Sequence, residues 1–198
     1  HQQLGVVLHK QGRAAAALAS FRRAEELRPD SIIQICKVGI ALRDLGRFDE
    51  AAQQFEKACR LAPDNAKNHF RWGLALMKGM RPAEALTQFQ RALELEPGHA
   101  EAALSLALCH LATEDFEQGW TAYEARFQHR DSISDPSPEK RWNGDPIEGT
   151  LVVGAEQGIG DMIQFIRFAQ EAGRRCGKLV VQASDDLAPL IRRVAGVN

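Results

Sequence analysis

The sequence predicts an α-helical solenoid over its first two thirds, followed by a short α/β segment in the order strand, helix, strand, helix. Three observations predict it. Five residue positions recur at a spacing of 34. Alanine is abundant and β-branched residues are scarce until about position 150, which favours helices first and strands later. Two short apolar runs, Thr150–Gly154 (TLVVG) and Lys178–Ala183 (KLVVQA), then replace the helical pattern and read as buried strands.

The repeat comes first because it sets the architecture. Pro29, Pro63 and Pro97 share one spacing, and Phe21, Phe55 and Phe89 share the same one. Gly5, Gly39 and Gly73 keep it, as do Ala17, Ala51 and Ala85, and Ala24, Ala58 and Ala92. A 34-residue period with small residues in the middle and proline at the end resembles the tetratricopeptide repeat. The resemblance covers residues 1–130 in units of about 1–31, 32–65, 66–99 and 100–130. It implies a right-handed α-superhelix. Each unit reads as two helices. In the second, Ile35–Leu45 forms helix A, Gly46 breaks it because glycine tolerates φ > 0, and Phe48–Leu61 forms helix B. Gly39 and Ala51 are expected where the two helices cross. Phe55 is expected between the repeat and its neighbour, and Pro63 ends helix B.

The fourth unit is degenerate. Its helix A is Glu101–Leu111, and its helix B reads FEQGWTAYEARF over Phe116–Phe127. Gly119 stands at the alanine position, Tyr123 at the phenylalanine position and Arg126 at the third small position. Such a unit suits a cap. Trp120 and Tyr123 are expected as core aromatics of the last helix.

In the tetratricopeptide family, helix A lines a concave groove that holds ligands. The resemblance therefore points to Gln3, Val6, His9 and Lys10 in the first repeat. It points to Lys37, Ile40, Arg43 and Asp44 in the second, and to Arg71, Leu74, Met77 and Lys78 in the third. This mixed apolar and basic strip suits an extended peptide with acidic groups. The paired asparagines typical of chaperone-tail clamps are absent. Exposed repeat ends leave room for self-association.

Residues 131–149 read as a linker packed through Trp142, and 150–198 as the start of a second domain. Asp161–Gly173 reads as a helix and Asp185–Val194 as another, with Pro189 near its first turn. Strand, helix, strand, helix implies a parallel sheet with right-handed crossovers. The chain stops at Gly196-Val197-Asn198, where a third strand is expected, and it starts at His1 rather than Met, so the domain reads as incomplete and the N-terminus as lying upstream. Between first strand and helix lies EQGIGD, where Glu156, Gln157, Gly158 and Gly160 form a candidate ligand loop. It is no dinucleotide fingerprint, because Ile163 holds the third glycine position, and no Gly-Lys-Ser/Thr follows to make a P-loop. Asp161 with Gln164 resembles a capping box. Glu156 reads either as a second site carboxylate or as a loop residue bonding backbone N–H groups.

The runs FEQGWTAYEARF, RWNGDP and LVVGAEQGIGDMIQFIRFA resemble bacterial proteins that join tetratricopeptide repeats to a glycosyltransferase-like domain. That domain is similar to the heptosyltransferases, with two Rossmann-like halves, and the layout is broadly similar to that of the O-GlcNAc transferases. The resemblance implies that Asp161, after Gly160, is the base on an acceptor hydroxyl and that a nucleotide sugar is the donor. The sugar-nucleotide site lies largely in a second half that this sequence lacks. The segment alone is therefore expected to be inactive.

Charge excludes several classes. Residues 1–130 carry 17 Lys+Arg against 16 Asp+Glu, so no basic footprint for nucleic acid is present. The six histidines and four cysteines show no ligand spacing, so no metal site is expected, and the cysteines fit a reducing cytoplasm rather than a disulfide framework. No membrane-length apolar run is visible. The reading is a cytoplasmic scaffold that recruits a polypeptide partner or acceptor to the beginning of a glycosyltransferase-like domain. The alternative is a pure interaction protein with a non-catalytic α/β domain.

Overall fold

The computed structural model describes residues 1–124, 142–154 and 159–193, with all their side chains except those of Ile159 and Asp161. The chain divides into two compact units, His1–Ser132 and Ile133–Asn198.

The first unit is four helix pairs. They are α1 (Gln2–Lys10) with α2 (Ala14–Leu27), and α3 (Ile32–Asp44) with α4 (Phe48–Leu61). The third and fourth are α5 (Ala66–Lys78) with α6 (Pro82–Leu95), and α7 (Ala100–Ala112) with α8 (Phe116–Tyr123). Each helix packs on its neighbours in sequence, so α2 meets α3, α4 meets α5 and α6 meets α7. The second helix of each of the first three pairs stops at the residue before proline. Arg28, Ala62 and Glu96 have φ/ψ of −147/76°, −142/80° and −139/84°. The Cδ of the following proline forbids the helical conformation there. The stop is therefore steric and recurs with the repeat.

The turn inside each pair is also periodic. Residues 12, 46, 80 and 114 all have left-handed φ, at 73°, 74°, 59° and 64°. The first two are glycines. The last two are Met80 and Glu114, which hold a conformation that costs an L side chain about 1 kcal/mol. The neighbouring Gly79, which composition alone would assign to the turn, is right-handed at φ −79°. The register of the pair outranks the residue's own preference.

The core of this unit runs through Leu18, Phe21, Ile35, Val38, Leu42, Phe55, Leu76 and Phe89. Phe55 and Phe89 are completely buried. Their rings lie against a glycine of their own repeat. A Cβ on Gly39 would sit 2.9 Å from the Phe55 ring, and one on Gly73 would sit 2.7 Å from the Phe89 ring. Gly5 faces Phe21 in the same way. In the fourth pair the glycine position is Ala107, fully buried, and its partner Tyr123 is only half-buried. Trp120 is 58% exposed, so the expectation that it is a core aromatic is wrong. Gly119 fits a different need, because Leu111 leans in so that a Cβ there would lie 2.5 Å from its Cδ2.

The second unit holds a two-stranded parallel sheet, β1 (Ile147–Val153) and β2 (Cys176–Val181). Leu151 pairs with Leu179 and Val153 with Val181. Strand β1 starts inside the stretch read as linker. Between the strands lie α9 (Ile159–Phe165), a 3-10 turn (Ile166–Phe168) and α10 (Ala169–Arg174), where the sequence suggests one helix. The last helix, α11, is only Ala188–Ile191 rather than Asp185–Val194. Pro189, lacking an N–H, sits in its first turn. The strands are not buried on both faces, as the apolar runs suggest. Leu151 and Leu179 are buried with Ala169, next to Trp142 and Ile166, while Val152 on the opposite face is 53% exposed. The connection covers one face of the sheet only. Asp161 is the third residue of α9, so its backbone lies inside the helix and not at the cap position.

Phe55→Ala should cost about 3–5 kcal/mol, as for a fully buried aromatic. Gly39→Ala should also destabilise, but much less in a Phe55→Leu background, where the planar ring is gone. Thermal or urea melts of the four variants measure the coupling. Additive effects would show that ring and glycine do not share one space.

Candidate functional site

The groove side of the first unit is built by the first helix of each pair. An open depression of about 290 Å³ is lined by Ile40 and Arg43 of α3, Lys67, Phe70, Arg71 and Leu74 of α5, and His99 and Glu101 at the start of α7. The period explains the gathering. Ile40 and Leu74 are one period apart, as are Lys67 and Glu101, so equivalent positions of successive helices stand side by side.

Four of the twelve groove residues singled out from sequence therefore meet in one depression: Ile40, Arg43, Arg71 and Leu74. The other eight do not line it. Lys10 and Lys78 are exposed near the ends of α1 and α5. Lys37 lies over the ring of Phe21, 5.8 Å from its centroid, and Met77 is half-buried against the core. His9 and Asp44, from the wider strip, bind each other at 2.6 Å and tie α1 to α3. Lys67, Phe70, His99 and Glu101 were missed. Lys67 and Phe70 each lie four residues before a residue that was found, so extending the same stripe by one turn would have found them.

The depression has an apolar floor and a cationic rim. Phe70 packs at a tilt on His99 (ring centroids 4.6 Å apart) and on Phe89 (5.8 Å). His99 also accepts the Ala102 N–H at 3.3 Å through Nδ1, which caps α7 and leaves the ring's proton on Nε2. Arg43, Lys67 and Arg71 face one carboxylate, Glu101. Arg43 is steadied by its neighbour Asp44 at 3.2 Å. Arg71 lies beside the Cys36 thiol. Burial pushes that thiol's pKa up, and the guanidinium offsets the rise only in part. The side chains can offer an acidic chain charge complementarity and a seat for one apolar side chain.

The other chemical groups do not form a second site among the described residues. No cluster of three or more metal-ligating side chains occurs there. No helix there is long and apolar enough to cross a membrane. Cys36, Cys59 and Cys109 are buried and Cys176 is half-buried. Burial pushes the Cys59 thiol to about 12 and the Cys109 thiol to about 11. In the second unit, Gly160 is exposed at the start of α9 with open space around its Cα. Glu156, Gln157 and Gly158 of the suggested ligand loop lie outside the described residues, as does the Asp161 side chain.

Comparison with known proteins agrees with this geometry. A family model described as tetratricopeptide repeat matches residues 3–32 and 70–132, and one described as TPR repeat matches 39–79. No curated protein sequence matches the chain. Among solved structures, a crystal structure of MamA is similar over 87% of this chain and 82% of that one, at 18% identity and a TM-score of 0.60. MamA from Desulfovibrio magneticus RS-1, from residue 41 to its end, is similar over 63% and 68%, at 22% identity and a TM-score of 0.57. These two likenesses concern the fold. The first TPR domain of Spaghetti (RPAP3), bound to the HSP90 peptide SRMEEVD, is similar over 57% of this chain and 90% of that one. Its identity is 25% and its TM-score 0.55.

A thiol reagent such as Ellman's should label Cys176 quickly and the three buried cysteines only on unfolding, because the thiolate is the reactive form and buried thiols are both hidden and protonated. Fast native labelling of Cys59 or Cys109 would show that the helix pairs open readily.

Proposed function

Residues 3–32 and 39–132 are tetratricopeptide repeats, and from that premise we propose that the chain is a polypeptide-binding scaffold whose groove takes an extended acidic segment. The observation that carries the reading is the depression between α3, α5 and α7, where three cations and one carboxylate surround Phe70, Ile40 and Leu74. An acidic segment gains charge complementarity there, and one apolar side chain gains burial on Phe70. The RPAP3 neighbour supports the same chemistry. Its peptide, SRMEEVD, carries three carboxylate side chains and one arginine. Glu101 marks the α7 end of the depression and favours a neutral or basic residue of the ligand there.

A second reading concerns residues 150–198 as the opening of a glycosyltransferase-like, Rossmann-like domain with Asp161 as the base and a nucleotide sugar as the donor. Two features support it. Strands β1 and β2 are parallel and joined through helices, and Gly160-Asp161 follows the carboxyl end of β1, where open α/β sheets take ligands. A carboxylate within reach of an acceptor hydroxyl accepts its proton as the bond to the sugar forms. Cytoplasmic location is part of this proposal.

Peptide arrays probed with the chain should enrich acidic sequences, and Arg43→Glu with Arg71→Glu should abolish the hits. Hits that survive the double reversal place binding elsewhere. For the second reading, turnover of a nucleotide-sugar donor by the full-length protein should fall about 100-fold in Asp161→Asn. Unchanged turnover removes Asp161 from the chemistry, and absence of turnover with every donor leaves the scaffold alone.

A further inference from the structure

The groove carries a pattern that its charge does not account for. Val6, Ile40, Leu74 and Leu108 hold the same place on α1, α3, α5 and α7, one period apart, and all four are aliphatic. Their neighbours one turn earlier, Gln3, Lys37, Arg71 and Ser105, share no such character. Val6, Ile40 and Leu74 are half-buried against the core, and Leu108 is 37% exposed. The four form an aliphatic rail across the first helices of the pairs. Ile40 and Leu74 are its stretch inside the depression.

The spacing of the rail follows from how the first helices touch. Cys36 of α3 donates its S–H to Asn68 of α5 at 3.3 Å, and His9 of α1 meets Asp44 of α3 at 2.6 Å. Helices whose side chains meet directly lie about 8–10 Å apart. An extended ligand laid across them has to present an apolar side chain once per step of that length. A β-strand repeats a face every two residues, about 6.5 Å, and falls out of step at once. A polyproline II segment repeats a face every three residues, about 9.3 Å, and stays in step. An α-helix, about 10–12 Å across, is too wide to enter a depression of about 290 Å³.

Three residues per turn give such a segment three edges. With one edge on the rail, the other two face its flanks. Arg43 stands one turn after Ile40 and Arg71 one turn before Leu74, so the rail has a guanidinium on either side. Acids on the two free edges then meet cations. The polyproline II backbone makes no hydrogen bonds of its own, so its carbonyls are open to a donor. His99 carries its proton on Nε2, which no described residue accepts, and can give that hydrogen bond. The Phe70 ring beside it, 4.6 Å from His99, is an apolar surface of the kind that receives proline.

We propose, on the reading that the groove binds an acidic polypeptide, that its ligand is a polyproline II segment with proline at every third position and acids between. The prolines sit on Ile40 and Leu74 and set the register, and Arg43 and Arg71 read the acids. A segment already in this conformation loses little freedom on docking, which favours it over a flexible chain of the same charge.

Two peptides of one composition test this by calorimetry on the whole chain. One repeats the triplet Pro-Glu-Glu. The other rearranges the same residues so that no two prolines are separated by a multiple of three. The triplet peptide should bind about tenfold more tightly, the difference between a preorganised ligand in register and one out of it. One extra glutamate inserted between triplets breaks the register and should remove most of that gain. Leu74→Ser, or Ile40→Ser if the first loses its fold in a circular dichroism melt, should make the two peptides equal. Glu101→Gln, outside the rail, should leave their ratio unchanged. Equal binding of the two peptides to the wild type overturns the proposal. If Arg43→Glu with Arg71→Glu then abolishes that binding, the acidic groove still stands. If it does not, or if neither peptide binds, both readings fall.

Discussion

The first unit depends on one contact made without a side chain. Glycine at 5, 39 and 73 lets an aromatic ring sixteen residues later lie directly against a helix backbone. The ring is then sealed from water, and the two helices of a pair are held close. Neither partner works alone. A methyl on the glycine would collide with the ring, and a smaller residue in place of the ring would leave a cavity. The fourth pair shows the rule by its exception. Ala107 supplies a methyl there, and Tyr123 is half-buried.

A rigid pair repeated at a constant period places like positions side by side. The surface along the array is therefore one helical stripe read out four times. At the groove that stripe carries Ile40 beside Leu74 and Lys67 beside Glu101, so a single substitution in one repeat changes the charge of the whole depression. The same repetition means that every pair has a front and a back.

The second unit follows other rules. Its sheet has two strands, and the helices between them lie on one face, where Leu151, Leu179 and Ala169 meet. Val152 points the other way and is open. An apolar run in sequence states that a residue prefers burial. It does not state whether a covering layer exists, and here the second layer is missing from the described residues.

Much of this was legible from spacing alone. Pro29, Pro63 and Pro97 and the three Gly–Phe pairs specify helix pairs and their period, because proline geometry and ring size are local properties. Half of the groove residues were also found, since a helical stripe follows from the 3.6-residue turn. What spacing left open needed distance between turns of different helices. Met80 and Glu114 adopt left-handed φ because the register of the pair demands a reversal there, whatever the residue. Lys37 leaves the groove for the Phe21 ring, and His9 and Asp44 satisfy each other. Trp120 is exposed although its composition reads as core. The order of residues along the chain settles the repeat, its helices and their small-to-large packing, since these rest on interactions inside a single repeat. Which cations share the depression, and which apolar faces stay uncovered, is settled only by packing in three dimensions, since both depend on what stands across the gap.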